Sequence, residues 1–419
     1  MVATIDTSTA ARWHWPDLAA SLRSARRRSP IGTTLNAASY IEWRYYAVLS
    51  PAFHGVVGLA LVNPEYRLRA VAESGLLLIV AGVLDRPNLP ARAVATPPAA
   101  AATAAFCWMH LFPVTACRFD ANGPGSLTAG DSECCVALAH RGLASADIEI
   151  EAGAGLKLRL EHVGLADAAI PPQTGRDFPG AFGSGSFGAH WTVDCPSPVA
   201  STNGRLSLGA GLLTSLAQAS GSTPGYATAA LCERVAAGGG HWHWQSAAGY
   251  YEHSYGVRPL PLHGWEFVFV PDAVAGQSVV LQTYRGSQAL RYLDVCWQQD
   301  GALRRQRFGT DALRLSWTES AHDPVLGVRR PLARRILAEA NGLRLELYNR
   351  VLHRLPLLRS RTLAVRHFFI SEEIGVADWT LTDATGRVLA ATAGQPCGGE
   401  LAHFRLRAPR YRVAPTTGG

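Results

Sequence analysis

The chain has 419 residues, 48% of them apolar and 17% charged, with a formal net charge of +7. That composition excludes a mostly disordered chain, and the length makes two domains the default expectation. Every cation except Lys157 is an arginine, and the arginines are spread along the chain rather than interleaved with aromatics, so nothing marks a nucleic-acid surface.

Residues 1–29 read as a leader with one short helix beginning near Pro16 and Asp17, its charged end being the run from Arg23 to Arg28. The start is polar and has no apolar h-region, so no signal peptide is expected. The longest apolar runs, Gly55–Val62 and Gly75–Leu84, are too short to span a bilayer. Eight cysteines without a C-x-x-C pair read as free thiols in a reducing compartment. The expectation is a soluble, cytoplasmic protein that could still draw substrate from a membrane.

Ser39 to Ser50 predicts a strand, and His54 to Asn63 an apolar second strand after the Pro51 break. Residues 85–104 are rich in Pro and Ala and read as a loop or insertion. Short strands follow at Asp147–Glu151, Leu156–Val163 and His190–Asp194, with a Gly/Pro-rich loop over Pro171–Gly188. Leu206–Ala237 is ambiguous. Later strands are expected at Ser278–Arg285, Arg291–Trp297, Leu313–Trp317, Leu343–Val351, Val365–Ile370 and Ala377–Thr382. Pro331–Ala340 predicts a helix. Many short strands with few helices point to β-sandwiches or antiparallel barrels.

The densest chemistry lies between Gly238 and Asp272, which holds four of the fourteen histidines, three of the eleven tryptophans and three of the twelve tyrosines. Read at period two, this stretch gives three short strands. His241, His243 and Gln245 share a face opposite Trp242 and Trp244. Tyr251, His253 and Tyr255 share a face opposite Tyr250, Glu252 and Ser254. Trp265, Phe267 and Phe269 oppose Glu266, Val268 and Val270. Titratable groups beside aromatic bulk are the lining expected of an apolar pocket with a few placed polar groups.

Several motifs fail their context. Gly183, Gly185 and Gly188 fit G-x-G-x-x-G, but a Pro-rich loop precedes them and a strand follows, so they are turn residues. His241 and His243 form an H-x-H without a nearby carboxylate on the same strand, and Glu400 with His403 is a second weak pair; no metal site is expected. No G-x-S-x-G elbow is present.

Taken in order, five segments resemble the carotenoid hydratase (hydroxyneurosporene synthase) family, a lipocalin-like group that includes the related fungal Diels–Alderases. Glu42-Trp43-Arg44-Tyr45-Tyr46 is similar to its E-W-W-Y-F signature, and Tyr251-Glu252-His253-Ser254-Tyr255-Gly256 to its Y-x-D-H-N-W-G signature. Gly264-Trp265-Glu266-Phe267 resembles the following G-W-x-W strand, Thr283-Tyr284-Arg285 the next strand, and Gly398-Gly399-Glu400 a closing Gly-x-Glu element. The match departs at Glu252, Ser254, Tyr255, Arg44 and Phe267, and retains His253. The resemblance implies an all-β fold of two lipocalin-like antiparallel domains, here drawn as 30–257 and 258–419 with the break near Arg258–Pro261. It implies an apolar pocket, no cofactor, and hydration or intramolecular cyclisation of a long polyene, isoprenoid or polyketide. It does not fix the oligomeric state.

The residues allow that chemistry. Alkene protonation needs a carboxylic acid kept neutral in a dry pocket, a part suited to Glu252 or Glu266, with His253 orienting or reloading it. Trp43, Trp265, Tyr251 and Tyr255 offer π faces to a carbocation. A cycloaddition needs a folded substrate and a polarising donor, which His253, Tyr255, Tyr284 or Arg285 could supply. Glu252, His253 and Tyr255 are thus the expected catalytic set, and Trp43, Tyr45, Tyr251, Trp265, Glu266, Tyr284 and Arg285 the expected substrate contacts. The rival expectation is a non-catalytic carrier of an apolar lipid or pigment, with Trp242 and Trp244 simply core and Arg44 a solvated or cross-strand partner of Glu42. A metal-dependent oxygenase is a third.

Overall fold

A computed structural model describes residues 13, 40–62, 75–86, 103–120, 125–153, 155–165, 170–173, 191–218, 225–257, 264–284, 290–323, 328–360 and 365–406. The leader helix, the Arg23–Arg28 run, most of the Pro/Ala-rich loop, the three motif glycines, the Arg258–Pro261 break and Arg285 lie outside the described residues.

Among the described residues the chain forms two curled antiparallel sheets, each a half-barrel, which is the build of two lipocalin-like all-β domains. The first sheet begins with β1 (Tyr40–Leu49), β2 (Phe53–Val62), β3 (Gly75–Leu84) and β4 (Ala104–Pro113). It continues with β5 (Cys117–Phe119), β6 (Leu127–Gly130), β7 (Cys134–His140), β8 (Ser145–Ala152) and β9 (Leu156–Gly164). It is completed by β10 (Ile170–Gln173), β11 (Trp191–Leu208), β12 (Gly225–Ala227) and β13 (His241–Val257). Two short helices, α1 (Ala210–Gln218) and α2 (Ala229–Ala236), occupy the stretch whose pattern was ambiguous.

The second sheet contains β14 (Trp265–Asp272), β15 (Gln277–Tyr284), β16 (Leu290–Gln299), β17 (Ala302–Phe308) and β18 (Leu313–Asp323). Its remaining strands are β19 (Val328–Ala340), β20 (Leu343–Ser360), β21 (Val365–Asp383) and β22 (Val388–Leu406). The spatial order is β12-β4-β3-β2-β1-β13-β11-β9-β8-β7-β6-β5 in the first sheet, with β10 against β11, and β17-β16-β15-β14-β22-β21-β20-β19-β18 in the second.

Three large apolar clusters result among the described residues. One fills the first half-barrel around Tyr46, Phe53, Phe112, Trp242 and Trp244, and one fills the second around Val270, Phe308, Ile336 and Trp379. The third lies in the seam between the sheets and joins Tyr45, Ala47, Val56 and Tyr250 to Phe267, Phe269, Leu355 and Ile374. Strands of the first sheet at the seam are therefore buried on both faces, which is why β2 and β3 read as continuous apolar runs instead of alternating. Each large side chain so buried contributes about 1.5–3 kcal/mol.

Two expectations are corrected. The first two strands expected after Gly238 are one, β13, in which Gly249 makes no break. The chain bends instead at Ser246, whose φ of 49° accompanies a register shift against β11. Pro331–Ala340 is strand, not helix. Its Ala, Leu, Arg and Glu favour helix in isolation, but pairing to β18 and β20 overrides that preference. The inner face is Arg334, Ile336 and Ala338, and a buried arginine there hides the period-two signal.

Candidate functional site

Because successive strand residues point to opposite faces, β13 divides its side chains between two compartments. Tyr250, Glu252 and Ser254 face the seam, while Tyr251, His253 and Tyr255 face the interior of the first half-barrel. Beside it, β1 does the same, sending Trp43, Tyr45 and Ala47 to the seam and Glu42, Arg44 and Tyr46 inward.

The seam compartment is the candidate site. Trp43, Tyr45, Glu252, Ser254, Trp265, Phe267, Gln282, Thr283 and Glu400 line a small cavity of about 30 Å³. Glu252 receives three hydrogen bonds, from Ser254 Oγ at 2.5 Å, Tyr250 Oη at 3.0 Å and Trp43 Nε1 at 3.4 Å. Trp265 Nε1 donates to Glu400 Oε1, and Tyr45 Oη donates to Glu372 Oε1. Across the β21–β22 ladder, Glu372 stands opposite Glu400. Three buried carboxyl groups thus meet around one tyrosine.

Electrostatics separates their roles. Burial, and then the neighbouring Glu400, push the Glu372 carboxyl well above the ordinary range against the lowering hydrogen bond from Tyr45, a net shift that favours its neutral form. Its Oε2 is buried with no hydrogen-bond partner. Burial and Glu372 likewise push Tyr45 well above its usual value. Gln282 Oε1 is also buried without a partner at the cavity wall. Phe269 packs over Gly398, where a Cβ would stand 2.3 Å from the ring, so a glycine there is what lets β22 bring Glu400 close.

The other expected residues lie elsewhere. His253 is fully buried, and its Nε2 meets Glu42 Oε1 at 2.9 Å; it does not touch Glu252, whose side chain leaves the opposite face of the strand. Tyr251 stacks on Tyr46 at 4.4 Å and accepts a hydrogen bond from Arg44 Nη1 at 2.8 Å. Tyr255 sits beside His253 with ring centroids 5.1 Å apart. Arg44 is not solvated. It is wholly buried, 4.6 Å from the Trp13 ring and 2.7 Å from His140 Nε2. Burial lowers its affinity for the proton, but Tyr251, Tyr46 and Glu42 more than offset this. Asp194 joins the same interior, its carboxyl pushed up to about 7 by burial against the opposing pull of Arg44.

Glu266 contributes to the cavity wall, but its carboxylate is turned into the second half-barrel, 3.1 Å from Arg334 Nε and from Trp317 Nε1. Tyr284 stands opposite Trp265 in the β14–β15 ladder. His241 and His243 point outward into a polar groove of about 1020 Å³ shared with Arg118, Arg159 and Arg205. Among the described residues no three His, Cys, Asp or Glu side chains are grouped to hold a metal ion, and all eight cysteines are free. No described helix is long and apolar enough to cross a membrane.

Sequence reasoning did not single out Glu372, Tyr250 or Gln282, and it named Glu400 only as a weak metal ligand and as part of the closing element. The one available signal for Glu372 is the paired acid Glu372-Glu373 inside an apolar strand, ISEEIGV.

No family model matches the chain, and no curated protein matches it. Among solved structures, that of CghA with Sch210972 is similar, with a TM-score of 0.53 and 12% identity, covering 88% of this chain and 89% of that one. A second CghA structure has a TM-score of 0.49 and 11% identity, covering 88% and 90%. A provisionally assigned ATTH from Nitrosomonas europaea has a TM-score of 0.48 and 12% identity, covering 86% and 92%. At these identities the likeness to the first structure concerns the fold.

Proposed function

We propose that the protein is a cofactor-free enzyme that hydrates or cyclises a long apolar polyene at the seam. The observation that carries this reading is the neutral Glu372 coupled to Tyr45 and set apart from the thrice hydrogen-bonded Glu252. One acid held protonated near a second carboxyl that accepts hydrogen bonds is the pattern of a general acid and its complementary base. The relay requires the Tyr45 hydroxyl, which donates to Glu372 Oε1 in the resting site, to turn to the substrate while the Glu372 carboxyl rotates to donate its own proton to the Tyr45 oxygen. Protonation of an alkene gives a carbocation facing Trp43 and Trp265. Water adds to that cation as Glu252 takes the released proton, or an internal double bond closes on it. Donation of only a hydrogen bond from Tyr45 to a carbonyl would instead favour cycloaddition of a folded polyene.

The cavity, about 30 Å³, is far too small for a polyene, so the seam must part to admit one, whose chain would then cover the apolar surface around Phe269, Leu355 and Ile374. A chain of the same fold, CghA, was solved with Sch210972, which supports a ligand-binding build without naming this chain's ligand.

The test is mass spectrometry of an apolar extract of the native host before and after incubation with wild-type protein, Glu372→Gln and Tyr45→Phe. A product heavier by one water, formed only by wild type, supports hydration. A product of equal mass with shifted retention and lost polyene absorbance supports cyclisation. Recovery of bound but unchanged ligand from wild type favours the carrier and removes the catalytic roles.

A further inference from the structure

At the other end of the seam lies a buried cation with no anion beside it among the described residues. Arg86 follows β3 and is 7% exposed. Its Nη1 donates to His54 Nδ1 at 2.7 Å and to the Gly375 carbonyl at 3.2 Å. Its Nε is buried without a partner, and no hydrogen bond to Nη2 is formed among the described residues. The Nε–Nη2 edge is the one that grips a carboxylate with two parallel N–H bonds.

Among the described residues the surroundings supply no negative charge. The groups that act on Arg86, or on which it acts, are His54, His353 and the Cys397 thiol. Burial and then Arg86 hold His54 well below its usual range, and the same two causes bring His353 down to about 4, so both imidazoles are neutral. Asp85, the neighbour of Arg86 in sequence, and Glu373, two residues from the Gly375 carbonyl that Arg86 bonds, are engaged elsewhere. Asp85 pairs with Arg234 and accepts from Trp242, and Glu373 pairs with Arg334 and Arg354. A buried guanidinium left without a counter-charge is costly, and a ligand anion would offset that cost.

The position is informative. His54 stands opposite Leu49 on β1, and Glu252 stands opposite Tyr45 on the same strand. Four strand residues separate the two ends by about 14 Å. Between them the seam is filled by packed apolar side chains, among them Ala47, Val56, Leu355 and Ile374.

We propose that the Nε–Nη2 edge of Arg86 binds a carboxylate-class anion, the head group of an unsaturated acid whose chain runs along the seam toward Glu372. The chain part of this proposal rests on the reading of the seam given above; the anion part does not.

The probes are cis-parinaric acid, a fluorescent tetraene fatty acid, its methyl ester, and acetate. Each is titrated against wild type, Arg86→Met and Arg86→Lys, with binding read by polyene fluorescence and, for acetate, by the rise in Tm. In wild type the acid is expected to bind at least about tenfold more tightly than the ester, the gain of a charge-assisted pair. Arg86→Met should erase that preference and leave ester binding unchanged, and Arg86→Lys should keep only part of it. Equal binding of acid and ester by wild type, with no acetate effect, overturns the anion site while sparing the apolar seam. Acetate stabilisation that depends on Arg86, with neither polyene bound, keeps the anion site, assigns it to a small free carboxylate and sinks the reading of the seam. Absence of all three effects overturns both. The comparison of acid with ester in wild type decides the matter even if a variant fails to fold.

Discussion

Glu372 and Glu400 face each other across neighbouring strands, with Tyr45 reaching Glu372 from the opposite sheet. Two carboxylates so placed cannot both be ionised at low cost, and the strand pair tolerates them because one keeps its proton. A raised carboxyl binds its proton in the folded state over a range where the unfolded chain has lost it. Stability therefore falls as pH rises above about 4.5, the ordinary value for a glutamate. Glu372→Gln should flatten this fall, so that the variant gains on wild type as pH increases. Urea unfolding at a series of pH values checks it; parallel curves would show that Glu372 is ionised in the folded protein.

A second pH effect has a narrower window. The Asp194 carboxyl is raised from 3.8 to about 7. Between those values the folded protein holds a proton that the unfolded chain releases, so this group's contribution declines through that interval and is spent above about 7. Asp194→Asn should remove that slope, which the same titration reads between pH 4 and 7.

Glu252 and His253 should part company under substitution. Glu252→Gln alters the seam and should lower turnover with a small effect on folding. His253→Gln loses the bond to Glu42 inside the first half-barrel and should cost about 1–3 kcal/mol of stability, leaving turnover per folded molecule near that of wild type. Active-site titration beside thermal unfolding separates the two. Loss of turnover at full stability in the His253 variant would return that imidazole to the reaction.

Arg334 compensates two buried acids, Glu266 at 3.1 Å and Glu373 at 2.5 Å, and also holds Asn349. Arg334→Met should cost about 3–5 kcal/mol, because it leaves buried Glu266 without its cation and Glu373 with Arg354 alone. Adding Glu266→Gln and Glu373→Gln should recover much of the loss. Denaturation midpoints of the single and triple variants test this, and additive losses would refute it.

The alternation of Tyr251, His253 and Tyr255 against Tyr250, Glu252 and Ser254 is legible in the sequence because a strand has only two faces. Which face meets the seam is not, since both are buried and both carry aromatic and acidic groups. For the same reason Glu252 and His253 invite pairing on paper, being adjacent, and are held apart by the pleat. The strand nature of Pro331–Ala340 was hidden by Arg334, whose partners lie 68 and 39 residues away in sequence. Glu372 was hidden in a like manner: its raised carboxyl arises from burial and then from Glu400, against the lowering hydrogen bond from Tyr45, and no local pattern announces a contact between residues 327 apart in sequence.

The division of β13 between two compartments has an evolutionary consequence. Inserting or deleting one residue upstream of Glu252 would turn the acid into the half-barrel and the imidazole into the seam, corrupting both at once. Descendants of this chain can therefore lengthen or shorten their loops freely, but within β13 they can explore new chemistry only by exchanging side chains in place.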